Sequence, residues 1–283
     1  DFDVALVTDL GPIFAASSGT DFVFIPGGSD FTEWSFPFRS RSTRPRGRKD
    51  LLDLLVAARL RPAIRDSLSV WGSGPFSPLF LAASRLGISL QRFLPQAVDT
   101  DLFAPTADLA PSSGESDSLT IFHPTRIAFD THPRSVEVGG CLGNDRLFRG
   151  FAEAVVEGVD AQLILIDREG SSDQDVAKKL FHELGVADRV QWLRARTRFG
   201  FTWSEMADLY RSCDIVGSEF SGSTGLITLE GASSGKPVIA YLEDDAMGSM
   251  YPDGHPFVQA ANSREVCDAI MMLTDPGRRL SIG

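Results

Sequence analysis

From Leu119 onward, strand-like and helix-like segments alternate with a regularity that leaves few folds open. "LTIFHP" reads as a strand, and "NDRLFRGFAEAVVEG" as a helix starting on Asn144, a good N-cap. "AQLILID" is an almost wholly apolar strand, and "DQDVAKKLFHELG" is a helix closing on Gly185. "RVQWL" is a strand, "TWSEMADLYRSC" a helix capped by Thr202, and "DIVG" a strand. "LITLEGASSG" is a helix closed by Gly235, "PVIAY" a strand, and "SREVCDAIMMLTD" a last helix. Strands this apolar have no side to show to water. They predict an α/β fold with a parallel sheet covered by helices on both faces. In such sheets ligands bind beyond the carboxyl ends of the strands.

The first half is less regular. "DVALVT" and "FVFIP" read as buried strands stopped by Gly and Pro. Asp50–Ser67 reads as a helix interrupted at Pro62, followed by the strand "LSVW" and the helix "SPLFLAASRLG". "APTADLAPSSGESDS" (Ala104–Ser118) has no periodicity and reads as a linker. It predicts two domains, residues 1–110 and 111–283. With 283 residues, 43% of them hydrophobic, the chain can fill two cores. The chain begins at Asp1 directly with a strand-like run, so it reads as a piece of a longer protein.

Charge and cysteines exclude several function classes. A net charge of −11 repels phosphate backbones, so nucleic acid is not an expected partner. Cys141, Cys213 and Cys267 are odd in number and far apart, which predicts reduced thiols and a cytoplasmic setting. The four histidines show no metal-ligand spacing, and no apolar run is long enough to span a membrane. The basic run Arg39–Lys49, "RSRSTRPRGRK", has two readings: a solvated loop, or a peripheral contact with anionic lipid.

The stretch "SEFSGSTGLITLEGASSGKPVIAY" (Ser218–Tyr241) carries the chemistry. A small-residue loop follows the strand "DIVG" and leads into a helix near Gly225 and Leu226. Unpaired N–H groups at a helix start, with the positive end of its dipole, suit a diphosphate, and small residues let it approach. Glu230 lies about a turn further in, where a carboxylate can accept hydrogen bonds from ribose hydroxyls. An ordinary loop with a solvated Glu reads equally well from the spacing alone. "GASSG" satisfies the serine-hydrolase pattern G-x-S-x-G, but Ser233 would stand at the wrong end of its helix. "GSGPFS" (Gly72–Ser77) half-matches a dinucleotide fingerprint, with Ser77 for its third Gly and Pro75 removing an N–H.

"EGASSGKPVIAY" resembles the E-A-x-A-x-G-x-P-V-I-A segment of retaining, group-1 glycosyltransferases of the GT-B fold. "IFHPTR", "GNDRLFRGFAEAV", "LGVADRVQWL" and "SEMADLYRSCDIVGSEF" resemble successive segments of that family's donor domain. "VFIPGGSDF" and "RLGISLQRFLPQAVDTDLFAP" resemble passages of its first domain. The resemblance implies two Rossmann-like domains facing a cleft, a nucleotide-diphosphate sugar donor and a carbohydrate or lipid-linked acceptor. It implies that Ser223, Thr224, Gly225 and Leu226 cradle the donor diphosphate, that Arg126 neutralises it, and that Glu230 holds the ribose. Arg126 and Glu219 are the implied catalytic pair, and Ser29 and Asp30 the acceptor-side candidates.

Two positions depart from the pattern. The family's first Glu falls on Gly222, with Glu219 the nearest carboxylate, and its Lys falls on Leu142. Either Arg134 or Arg146 replaces that lysine, or donor affinity is low. No Asp-x-Asp pair occurs where a metal would be held, so neither a metal nor another cofactor is expected. A non-catalytic nucleotide-sugar binding or assembly module is the alternative, and an epimerase is disfavoured for want of acid–base residues. As a piece of such an enzyme, the chain is expected to bind donor better than it transfers sugar.

Overall fold

The structure, a computed structural model, describes residues 3–27, 31, 34–36, 48–72, 77–94, 96–105, 118–129, 142–168, 172–195, 200–222, 224–243, 248 and 250–283. They fall into two compact units, one up to Gln96 and one from Ala97. The first unit contains β1 (Ala5–Val7), α1 (Gly11–Ser18), β2 (Phe22–Phe24), α2 (Arg48–Arg65), β3 (Ser69–Gly72), α3 (Ser77–Leu86) and β4 (Leu90–Phe93). Its parallel sheet has the order β1-β2-β3-β4. Phe22, Phe24, Leu60, Ile64, Val70, Leu79 and Leu86 form its core.

Three local readings change here. β1 stands at the edge of the described sheet, and Val4 and Leu6 are exposed, not buried. Gly11 and Pro12 open α1 instead of ending a strand, because proline is tolerated in a helix's first turn, where its missing N–H has no partner to lose. α2 runs through Pro62 without interruption. Pro62 sits on the exposed side, while Ala57, Leu60, Ala63 and Ile64 are buried on the other. Burying four apolar side chains offsets the ~3 kcal/mol that an interior proline costs.

The second unit contains β5 (Leu119–His123), α4 (Asn144–Val156), β6 (Ala161–Asp167), α5 (Ser172–Glu183), β7 (Val190–Arg194), α6 (Trp203–Ser212) and β8 (Ile215–Gly217). There follow α7 (Leu226–Ser233), β9 (Val238–Ala240), β10 (Val258–Gln259), α8 (Ser263–Met272) and α9 (Pro276–Ile282). The sheet is parallel, in the order β10-β9-β8-β5-β6-β7. Alternate residues of one strand enter different cores. Ile121, Leu163, Ile215 and Ile239 pack with α4, α5 and α8. Phe122, Ile166, Val216 and Val238 pack with α6 and α7. Helices therefore cover both faces, as the apolar strands require. Phe103 joins the second of these cores, edge-on to Tyr210 with ring centroids 5.8 Å apart.

α4 and α8 pack closely because Gly150 has no side chain. A Cβ there would lie 2.5 Å from the Ser263 carbonyl oxygen and 2.6 Å from Val266 Cβ. Overpacking costs about 1–3 kcal/mol, against a gain of about 1 kcal/mol in helix propensity. Gly150→Ala is therefore expected to lower the thermal midpoint. A midpoint equal to or above wild type would show that the two helices can separate freely.

Candidate functional site

The chain runs from β5 outward through β6 to β7, then returns to the other side of β5 for β8, β9 and β10. This reversal between β5 and β8 is a topological switch point, and the crevice beyond the strands' carboxyl ends there is where ligands of such sheets bind. Three segments leave that edge: Pro124–Phe129 after β5, Arg168 after β6, and Ser218–Gly225 after β8.

The first of these is held from beneath by a buried chain of hydrogen bonds. The His123 ring lies 2.7 Å from the Gly217 carbonyl through Nδ1 and 2.8 Å from Asn144 Nδ2 through Nε2. A carbonyl can only accept, so Nδ1 carries the proton and Nε2 accepts from Asn144. Burial, opposed in part by that backbone bond, depresses the His123 pKa to about 4, and the ring is neutral. Asn144 Nδ2 also donates to the Arg126 carbonyl at 3.2 Å, while its Oδ1 accepts from Ala128 N at 2.7 Å. Asp173, at the start of α5, accepts from Phe129 N at 3.2 Å. Asn144 is thus not the N-cap of α4. Gly143 takes that place with φ +61°, and a Cβ on it would lie 2.9 Å from Phe220 Cβ. Asn144 instead fixes the backbone of the loop that presents Arg126, whose own side chain is exposed.

The β8–α7 segment supplies a helix start and two carboxylates. Ser218 and Thr228 are fully buried, their hydroxyls 2.6 Å apart, and Gly225 N reaches Thr228 Oγ1 at 3.4 Å. This ties the loop to the first turn of α7. A Cβ on Gly225 would lie 3.2 Å from Glu219 Oε1, so the Glu219 carboxylate stands directly against the helix start. Burial raises the Glu219 pKa, and the charge of Arg126 and a hydrogen bond with Ser221 pull it back down. Arg126, Glu219 and Gly225 are therefore neighbours. Glu230 is buried in the second turn of α7, and Tyr210 Oη donates to its Oε2 at 2.8 Å. Burial raises the Glu230 pKa, opposed by that bond. Its Oε1 accepts no hydrogen bond among the described residues.

Thr224 lies close enough to Tyr251, a residue that nothing in the local sequence marks out, to oppose the rise in the Tyr251 pKa that burial causes. Leu226 is the first residue of α7 and is 40% exposed, open to whatever approaches the helix start. Position 222 takes no side chain: Gly222 has φ +89°, bonds through N and O to Tyr241 and Glu243, and a Cβ there would lie 2.8 Å from Glu243 Cγ. Arg146 donates to the Phe220 carbonyl at 3.3 Å and lies over the Tyr241 ring at 5.7 Å. Arg168, which no sequence motif marks, lies near Arg126 and donates through Nη2 to the Pro124 carbonyl at 3.2 Å. Ser29, Asp30, Arg134, Ser223 and Cys141 lie outside the described residues, as do 39–47 of the basic run. Among the described residues no cluster of His, Cys, Asp and Glu could hold a metal. No described helix is long and apolar enough to cross a membrane.

No protein-family model matches the chain. It is similar to D-inositol 3-phosphate glycosyltransferases. That of Corynebacterium aurimucosum is 28% identical over 196 residues, which cover 65% of this chain and 43% of the relative. That of Mycobacteroides abscessus is 36% identical over 72 residues, 25% of this chain and 15% of the relative. The chain spans less than half the length of these relatives. Among solved structures, HepE of Anabaena in complex with UDP and glucose has a TM-score of 0.65 at 19% identity, covering 99% of this chain and 71% of that one. Sucrose-phosphate synthase from Thermosynechococcus elongatus has a TM-score of 0.61 at 14% identity, covering 99% of this chain and 67% of that one. The fold is shared with these proteins: α/β units of parallel sheet, as the sequence predicts.

Proposed function

We propose that the chain is the sugar-nucleotide-handling part of a glycosyltransferase, moving a sugar from a nucleotide-diphosphate donor to a carbohydrate or lipid-linked acceptor with retention. One observation carries this: Arg126, Glu219 and the Gly225 helix start meet at the switch point of a sheet whose order suits nucleotides. The relatives' names, and the UDP and UDP-glucose bound to HepE, support it.

In this reading the diphosphate lies against the start of α7, within the small-residue loop Ser223–Leu226, with Arg126 beside it. Glu230 Oε1 takes a ribose hydroxyl, and Tyr210 fixes its carboxylate in place. Glu219 faces the donor sugar's hydroxyls. In the reaction the bond from the sugar carbon to the diphosphate oxygen breaks and one to an acceptor hydroxyl oxygen forms. Negative charge grows on the leaving oxygen. Arg126 and the free N–H groups of α7 stabilise that charge more in the transition state than in the bound donor, which is what accelerates the step. Ser29 and Asp30 are the acceptor-side contacts. The buried free thiols Cys213 and Cys267 support a cytoplasmic setting, with Arg39–Lys49 as the segment for an anionic membrane surface.

The test is calorimetric titration with UDP, GDP and ADP, followed by release of sugar from the nucleotide sugar that binds. Binding with turnover is expected. Binding with no turnover, in the chain extended to its relatives' length, would favour the non-catalytic module. Glu230→Ala is expected to weaken the nucleotide that binds by about 10- to 150-fold, the equivalent of ~1.5–3 kcal/mol for a hydrogen bond to a charged group. An unchanged dissociation constant would remove Glu230 from the ribose site.

A further inference from the structure

We propose that Arg168 is a second diphosphate-gripping residue, supplying from the end of β6 the positive charge that Leu142 lacks. The inference rests on the nucleotide-diphosphate reading above and extends it to a residue outside the glycosyltransferase pattern.

The placement comes from the sheet. β6 pairs with β5 in parallel register up to His123 and Leu165, so the segments leaving both strands emerge side by side. Arg168 is the first residue after β6, and its backbone N–H is pinned to Gln174 Oε1 at 2.9 Å. Gln174 in turn donates to Asp167. The Arg168 side chain then crosses to β5, where Nη2 donates to the Pro124 carbonyl at 3.2 Å. This brings its guanidinium near that of Arg126, two residues beyond Pro124.

Two adjacent cations repel one another, a cost that a bound anion would relieve. Partial burial first, and then the charge of Arg126, lower the Arg168 pKa, although the residue as a whole stays exposed. Arg126 has Glu219 close by. Arg168 has no carboxylate partner among the described residues, and its side chain is exposed. One Nη2 contact to a carbonyl leaves most of a five-donor fork unused. A diphosphate has the charge and the oxygens to bridge two such forks, and guanidinium suits phosphate because it binds through paired N–H groups. Arg146, by contrast, is engaged by Phe220 and Tyr241. With Arg126 and Arg168 on the β5–β6 side and the α7 start on the β8 side, the diphosphate is held across the switch point.

The experiment compares wild type with Arg168→Met and Arg168→Lys, titrating each with UDP and, by competition, with uridine. Arg168→Met keeps the unbranched apolar stem and loses only the Pro124 contact, so its thermal midpoint should stay close to that of wild type. UDP is expected to bind Arg168→Met about 10-fold more weakly, Arg168→Lys in between, and uridine equally to all three. UDP affinity unchanged in Arg168→Met, with Arg126→Ala weakened, would overturn the role of Arg168 and leave the nucleotide site standing. Equal losses for UDP and uridine would also overturn it, since Arg168 would then act on the loop or the base. Failure of wild type to bind UDP, GDP or ADP would instead sink the nucleotide reading itself.

Discussion

Arg126→Ala is expected to weaken a bound nucleoside diphosphate by about 10- to 150-fold and to slow sugar transfer by about a hundred- to a thousand-fold. The first figure is the ~1.5–3 kcal/mol of a hydrogen bond to a charged group. The second is the ~2.7–4 kcal/mol lost when a donor aimed at developing charge is removed. The excess in rate over binding is the signature to look for, because charge on the leaving oxygen grows only as the sugar departs. A structural role would not produce it: the Arg126 side chain is exposed, and its backbone carbonyl, not its guanidinium, holds the loop. Removing it also strips Glu219 of the charge that opposes its raised pKa, so the variant's Glu219 should protonate at a higher pH than wild type's. Arg146→Ala is the control, since that guanidinium is occupied by the Phe220 carbonyl and the Tyr241 ring. The assignment fails if Arg146→Ala does more damage to binding, or if Arg126→Ala loses rate and affinity by the same factor.

What the sequence made legible follows from how each element is buried. β6 declares itself because both of its faces lie in cores, so "AQLILID" has almost no polar positions. The Thr202 cap of α6 is legible because its partner Glu205 is three residues away, and the reciprocal bonds form within that turn. β4, "LQRF", and β10, only Val258–Gln259, carry no such pattern; they are strands because a neighbour pairs with them. The site divides the same way. Leu226 and Glu230 lie on one short helix that starts just after Gly225, and the sequence predicts that helix, though its spacing alone assigns Glu230 no role. Arg168 could not be read from the sequence. No motif marks it, and its reach to Pro124 spans 44 residues. Only the adjacency of β5 and β6 brings the two together. Asn144 misled for a related reason: its position before a helical run suits a cap, but its side chain is taken by partners at positions 123, 126 and 128.

Asn144→Leu is expected to be among the most destabilising single changes in the second unit, at about 3–5 kcal/mol. The substitution keeps the number and branching of the side-chain heavy atoms, adds some bulk, and removes three partners at once. Ala128 N loses its acceptor and His123 Nε2 its donor, both in buried bonds, and the Arg126 carbonyl loses a donor in a part-buried one. Each buried polar group left unmade costs about 1–3 kcal/mol. Against the ~5–15 kcal/mol that typically separates a folded domain from its unfolded chain, this is a large fraction. The pH dependence identifies the cause. The folded His123 pKa is about 4, against an ordinary 6.5, so between those values the unfolded chain takes up a proton that the folded one refuses. Stability therefore falls as pH drops from about 6.5 to about 4, with a His123 share of about 3 kcal/mol. His123→Gln keeps a donor and an acceptor without a titrating ring, and should flatten the curve in that window relative to wild type. The comparison cancels the carboxylates, whose contributions are common to both proteins. Denaturant unfolding at pH 7 and pH 5 reads both effects. The network is refuted if Asn144→Leu matches wild type at pH 7, or if His123→Gln retains the full pH slope.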